Sequence, residues 1–211
     1  MFFSVLFSSF LVAIQTNLVH ANNASANIQV QISRISQCDF AISTASGNET
    51  SFNVLYDTTK STGTVPDSLA STDKENSTES TCVVCASLKW SNNKFGVVQS
   101  VDYDFYHRLD PGTLEQVVTY MTMDNSTKEE YFESSYIYGS EETNSTFRTH
   151  STQANGSDPL LLDYSRPKEE LCIQTTFRVF SRGGWDGGAA EISRKSVFVQ
   201  SVNLAWVDKK T

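Results

Sequence analysis

The chain has 211 residues, a formal net charge of −8, and 39% hydrophobic and 11% aromatic content. That is enough apolar material for one packed domain and too much for wholesale disorder. The acidic balance excludes a phosphate-binding surface of the nucleic-acid type and argues against docking on anionic membranes.

The first 21 residues read as a secretory signal peptide. An apolar run from Phe2 to Ile14 precedes Val19-His20-Ala21, which has the small-residue spacing of a signal-peptidase site. The leader lacks Lys and Arg. No later apolar run approaches the 18 residues of a span, and the end, Trp206 to Thr211, is polar. The expectation is one secreted domain over residues 22–211, with no membrane span in the mature chain. Six sequons, at Asn23, Asn48, Asn76, Asn125, Asn144 and Asn155, fit a glycoprotein on that route.

Four cysteines, Cys38, Cys82, Cys85 and Cys172, imply two disulfides in an oxidising compartment. Cys82 and Cys85 have redox-motif spacing, but Val83 and Val84 between them favour a strand. Residues three apart on a strand point to opposite faces, so these two thiols should not meet. Each then joins a distant cysteine, and Cys38–Cys82 with Cys85–Cys172 is the expected pairing. A zinc site using the same four thiols would suit an intracellular protein better.

Period-two alternation dominates the chain. Ile28, Val30 and Ile32 alternate with polar residues, and Ser51 to Tyr56 gives a second strand. Residues 57–80 are mostly Ser, Thr, Asp, Lys and Glu and read as a long polar loop carrying Asn76. Thr81 to Trp90 reads as a strand, 91–94 as a turn, and Phe95 to His107 as the returning strand, with Val101, Tyr103 and Phe105 on one face. After Asp110-Pro111-Gly112, a turn by its Pro and Gly, come Leu114 to Met123, a turn at 124–127, and Glu130 to Tyr138. Residues 139–159 read as a second polar, glycosylated loop, interrupted by Phe147. Leu171 to Phe180 and Ile192 to Val207 are the last strands. Pro167 to Glu170 has room for one helical turn at most. The fold expected is all-β: a single antiparallel sandwich or barrel of about eight strands with long polar loops.

Chemistry-bearing patterns are few. There is no Gly-x-Ser-x-Gly, His-Glu-x-x-His or phosphate loop, so the reading is non-catalytic, with no cofactor and no metal. His107 stands near Asp102, Asp104 and Asp110, but without a second histidine at ligand spacing it reads as a solvated strand end. His150 falls in a Ser/Thr-rich stretch, a poor place for a catalytic group. Glu129-Glu130 and Glu141-Glu142 read as solvated charge, and Trp90 and Trp206 as core. The unusual feature is Arg182-Gly183-Gly184-Trp185-Asp186-Gly187-Gly188, a glycine-flanked tryptophan read as a hairpin tip or bulge. Arg182, Trp185 and Asp186 are the candidate binding residues, because Trp and Arg dominate interface hot spots; the competing reading buries Trp185 against the core.

The function expected is a secreted, N-glycosylated binding protein that engages another extracellular protein through loop tips. The alternative is a lipocalin-like carrier of a small apolar ligand, although the Gly-x-Trp expected near the first strand of lipocalins is absent.

Overall fold

The computed structural model describes residues 28–46, 50–60, 66, 68–72, 77–90, 94–123, 129–133, 137–139, 141, 143–152, 160–162, 170–181 and 188–208. In chain order the strands are β1 (Gln29–Ser36), β2 (Ala41–Ser46), β3 (Ser51–Asp57), β4 (Ala70–Thr72), β5 (Thr78–Lys89), β6 (Lys94–Leu109) and β7 (Thr113–Met123). They continue as β8 (Glu129–Glu133), β9 (Ile137–Tyr138), β10 (Thr143–Thr152), β11 (Leu161–Leu162), β12 (Glu170–Ser181), β13 (Ala190–Ile192) and β14 (Val197–Asp208). Among the described residues there is no helix, so none long and apolar enough to cross a membrane.

These strands form two antiparallel sheets packed as a sandwich. One has the order β1-β5-β12-β7-β8, with β9 also on β7. The other has the order β2-β3-β14-β6-β13-β4, with β10 and β11 on the far edge of β6. All-β architecture and the sandwich therefore stand, with more strands than the alternation suggested.

The inward residues follow the period-two register. Val101, Tyr103 and Phe105 on β6 are at most 2% exposed, and meet Phe52, Tyr56, Phe177 and Phe198 between the sheets. Phe177 and Phe198 pack edge to face at 5.0 Å, and both meet the Tyr56 ring edge-on. Trp90 is buried and Trp206 partly buried, their rings 5.5 Å apart.

Inside this apolar layer lies a buried polar network. The Tyr56 hydroxyl donates to Gln200 Oε1 at 2.7 Å, Gln200 Nε2 donates to Thr119 Oγ1 at 2.8 Å, and the Tyr103 hydroxyl donates to the same Thr119 oxygen at 2.8 Å. Thr175 Oγ1 donates to Gln200 Oε1 at 3.2 Å. Burial pushes the Tyr56 phenol far above its usual pKa, which keeps it a donor. The five residues come from β3, β6 and β14 of one sheet and β7 and β12 of the other. A slip of one residue in any of these strands would turn its member of the network outward, so the network fixes one relative placement of the sheets.

Both disulfides join as expected, Cys38 to Cys82 and Cys85 to Cys172. Cys82 belongs to the inter-sheet core, whereas Cys85 lies outside that cluster. Cys85 and Cys172 are directly opposed on the neighbouring strands β5 and β12. The Arg34 guanidinium covers them, 3.1 Å from the Cys85 sulfur.

Four expectations change. First, residues 57–80 are not simply a loop. Leu69 is buried in the core, β4 pairs with β13, and Thr58 is buried with its hydroxyl on the Ser193 carbonyl at 2.6 Å. The hydroxyls of Thr78 and Ser80 donate to the carbonyls of Ser71 and Leu69, so they satisfy backbone groups instead of water. Second, residues 139–159 include β10, ten residues long and paired with β6 from Thr143↔Leu109 to Thr152↔Ser100. Its polar residues suit an edge strand, and Phe147 packs against the core. Third, β5 and β6 are not a hairpin. They belong to different sheets. Fourth, β12 and β13, which flank the glycine-rich segment, belong to different sheets and so do not pair as a hairpin.

Candidate recognition site at the Asp110 corner

β6 ends at Leu109 in one sheet and β7 starts at Thr113 in the other, so Asp110-Pro111-Gly112 carries the chain across one end of the sandwich. Gly112 takes φ 80°, a left-handed conformation that glycine adopts without Cβ strain. The Asp110 carbonyl accepts from Thr113 N at 3.2 Å and from Thr113 Oγ1 at 2.7 Å.

Two other segments are fastened to this corner. The connection after β9 arrives through Gly139, whose N donates to the Thr113 carbonyl and whose carbonyl accepts from Gly112 N, both at 3.0 Å. The glycine-rich segment returns through Gly188-Ala189. Ala189 N donates to Asp110 Oδ2 at 2.9 Å, and Asp110 N donates to the Ala189 carbonyl at 3.0 Å. Arg108 Nε donates to the other carboxylate oxygen of Asp110 at 3.3 Å. Asp110 thus holds the turn through its backbone carbonyl, and the cation beside it and the base of the neighbouring loop through its carboxylate.

The approach leaves no room for side chains at two glycines. A Cβ on Gly139 would lie 2.2 Å from the Asp110 carbonyl oxygen, and one on Gly188 would lie 2.2 Å from Asp110 Cβ. Gly139→Ala is expected to cost about 1–3 kcal/mol, because the atom it meets is backbone that must shift. A melting temperature within a degree of the parent protein's would contradict the close approach.

The other end of the glycine-rich segment leaves β12 at Ser181, which is paired with Thr113. Ser181 and Gly188, the described residues on either side of 182–187, therefore lie at the same corner, one leading from each sheet. Arg182, Trp185 and Asp186 lie between them in sequence, outside the described residues. Asn23, Asn48, Asn76, Asn125 and Asn155 also lie outside them. Asn144 is described and is exposed on β10.

Just inside the corner is a pair that was not anticipated. His107, near the end of β6, and Glu115, near the start of β7, both point inward. His107 Nδ1 lies 2.7 Å from Glu115 Oε1, and the side chains are 3% and 1% exposed. The solvated reading of His107 is therefore wrong, and its partner is Glu115, not Asp102, Asp104 or Asp110. The imidazole stacks on Phe147 at 5.2 Å and meets Phe105 edge-on at 6.0 Å. Burial raises the Glu115 carboxyl above the usual carboxylate pKa, opposed by the His107 hydrogen bond and charge. Among the described residues, Glu115 Oε2 has no hydrogen-bond partner. A histidine held by a carboxylate is half of an acid–base arrangement, and here both side chains are closed off from solvent. His150 lies on β10 with its side chain outside the described set.

Among the described residues, no group of three or more His, Cys, Asp or Glu is placed to hold a metal. Comparison of the chain with models of known protein families and with curated proteins finds no match.

Proposed function

We propose that the chain is a secreted, N-glycosylated, non-catalytic protein that binds another extracellular protein through the loops at the Asp110 corner, with Arg182, Trp185 and Asp186 as contact residues. One observation carries the reading: the segment holding these residues is tied at both ends to the same corner, on the Asp110 carboxylate at one side and beside Thr113 at the other. A loop with fixed ends loses less conformational freedom on binding, so more of its contact energy appears as affinity. The two disulfides suit an oxidising compartment. A carrier is less well supported, because aromatic side chains and the Gln200 network occupy the space between the sheets.

The test is Trp185→Ala with partner capture from the protein's native extracellular fluid. Loss of an aromatic anchor is expected to weaken binding by about thirtyfold, or about 2 kcal/mol, with little change in melting temperature. A variant that melts far lower while its folded fraction captures partner normally would assign Trp185 to the core and end the contact role.

A further inference from the structure

The outer face of the β6 sheet carries a groove of about 690 Å³. Its floor is β6, with Asp104, Tyr106 and Arg108. One wall is β10, with Asn144 and Thr146; the other is the turn from Glu191 to Val197. That turn is held tightly: Ser193 and Lys195 have positive φ, and Ser193 N donates to the Tyr106 carbonyl at 2.7 Å. The groove is in the size range of small-ligand sites.

Lys195 lines the groove as well, and its other charged residues are already matched. Arg194 pairs with Glu191 at 2.7 Å, Arg108 with Asp110 at 3.3 Å, and Asp104 with Arg148 at 2.8 Å. Paired charges select poorly for an ionic ligand, but they offer donors and acceptors to a neutral, hydroxyl-rich one. Apolar surface is present too, in the half-buried Tyr106 ring and in Val197, which is 40% exposed. Aromatic and aliphatic surface beside hydrogen-bonding groups suits the apolar face of a pyranose.

The sequence supplies such an occupant in place. Asn144-Ser145-Thr146 is a sequon, and Asn144 lines the groove. The Tyr106 hydroxyl donates to the carboxamide oxygen of Asn144. The nitrogen, the atom to which a glycan attaches, is not the atom that contact engages. We propose that Asn144 is N-glycosylated and that the inner N-acetylglucosamine units of its glycan lie in this groove, against Tyr106 and Val197. The proposal rests on the secretion reading above, and it goes further by assigning the groove to the protein's own sugar.

The experiment expresses the full chain in eukaryotic cells and maps glycopeptides, then times peptide-N-glycosidase release at Asn144 in native and denatured protein. The expected result is an occupied Asn144 released at least tenfold more slowly from the native protein. Tyr106→Ala should abolish that protection, and Tyr106→Phe, which keeps the ring, should retain most of it. Other sequons occupied with Asn144 bare would overturn the proposal alone. Occupied Asn144 with protection unchanged in Tyr106→Ala would overturn the seating in the groove. No glycan at any sequon would overturn both this proposal and the secretion reading.

Discussion

Removing Cys85 and Cys172 together, as the double alanine variant, is expected to lower the unfolding free energy by about 4–5 kcal/mol on the loop-entropy model. The bridge spans 87 residues of sequence, so without it the unfolded chain recovers a large conformational freedom. The folded state should change little. The two positions face each other across β5 and β12, and the ladder holds them from Glu170↔Ser87 to Val179↔Thr78 without the bond. The variant should therefore keep its β spectrum while its denaturant midpoint falls. The Cys38–Cys82 bridge spans 44 residues and should cost slightly less globally, about 4 kcal/mol on the same model. Its local effect should be larger. Cys38 lies where the chain passes from β1 in one sheet to β2 in the other, next to Gln37 with φ 58° and buried Phe40. Amide exchange should accelerate at that crossing in Cys38→Ala/Cys82→Ala and not in Cys85→Ala/Cys172→Ala. Loss of less than about 1 kcal/mol in either variant would mean that the unfolded chain is already compact and that the entropic account fails.

The same cysteines show what the sequence makes legible. Two valines between Cys82 and Cys85 suffice to place the pair on opposite faces of a strand, and Val101, Tyr103 and Phe105 show the core face of β6 directly. Alternation reports on one strand and its burial. It says nothing about which sheet the next strand joins. The turn residues between Trp90 and Lys94 look the same whether β6 returns beside β5 or crosses to the other sheet, and the chain crosses. Composition misled in a different way at β10. Thr143 to Thr152 is rich in hydroxyls because one edge and one face are wet, so only Phe147 shows an inward side. Hydroxyl-rich edge strands and loops have nearly the same composition, and a pairing partner separates them. The His107–Glu115 pair was available by register. Glu115 falls on the inward alternation of Thr113, Val117, Thr119 and Met121, all of them buried. The Asp110 turn and the glycine-rich segment were each legible, but their meeting at one end of the sandwich was not, because the Asp110–Ala189 bonds join residues 79 apart.

Glu115→Ala is expected to cost about 3–5 kcal/mol, the range for removing one partner of a buried pair. His107 would lose its only described hydrogen bond while staying enclosed by Phe105 and Phe147. Because the imidazole stacks on Phe147 of β10, the loss should also free that edge strand, visible as faster amide exchange along Thr143–Thr152. Glu115→Gln separates shape from charge: it keeps the acceptor facing His107 Nδ1 and removes the titrating group. The folded protein holds the Glu115 carboxyl above its usual pKa, chiefly by burial. Between the unfolded and folded values the folded state keeps a proton that the unfolded state has released. The contribution of this group is therefore fully present below the unfolded pKa and is lost as pH rises through the folded one. Subtracting the stability of Glu115→Gln from that of the parent protein cancels every other titrating group to first order. That difference should fall as pH rises above the unfolded carboxylate value of about 4.3, on a scale of about 1.4 kcal/mol for each unit by which the two values differ. Thermal unfolding of both proteins across that range measures it. A difference that rises with pH would mean that the ionised pair stabilises this corner, reversing the balance between burial and the His107 charge.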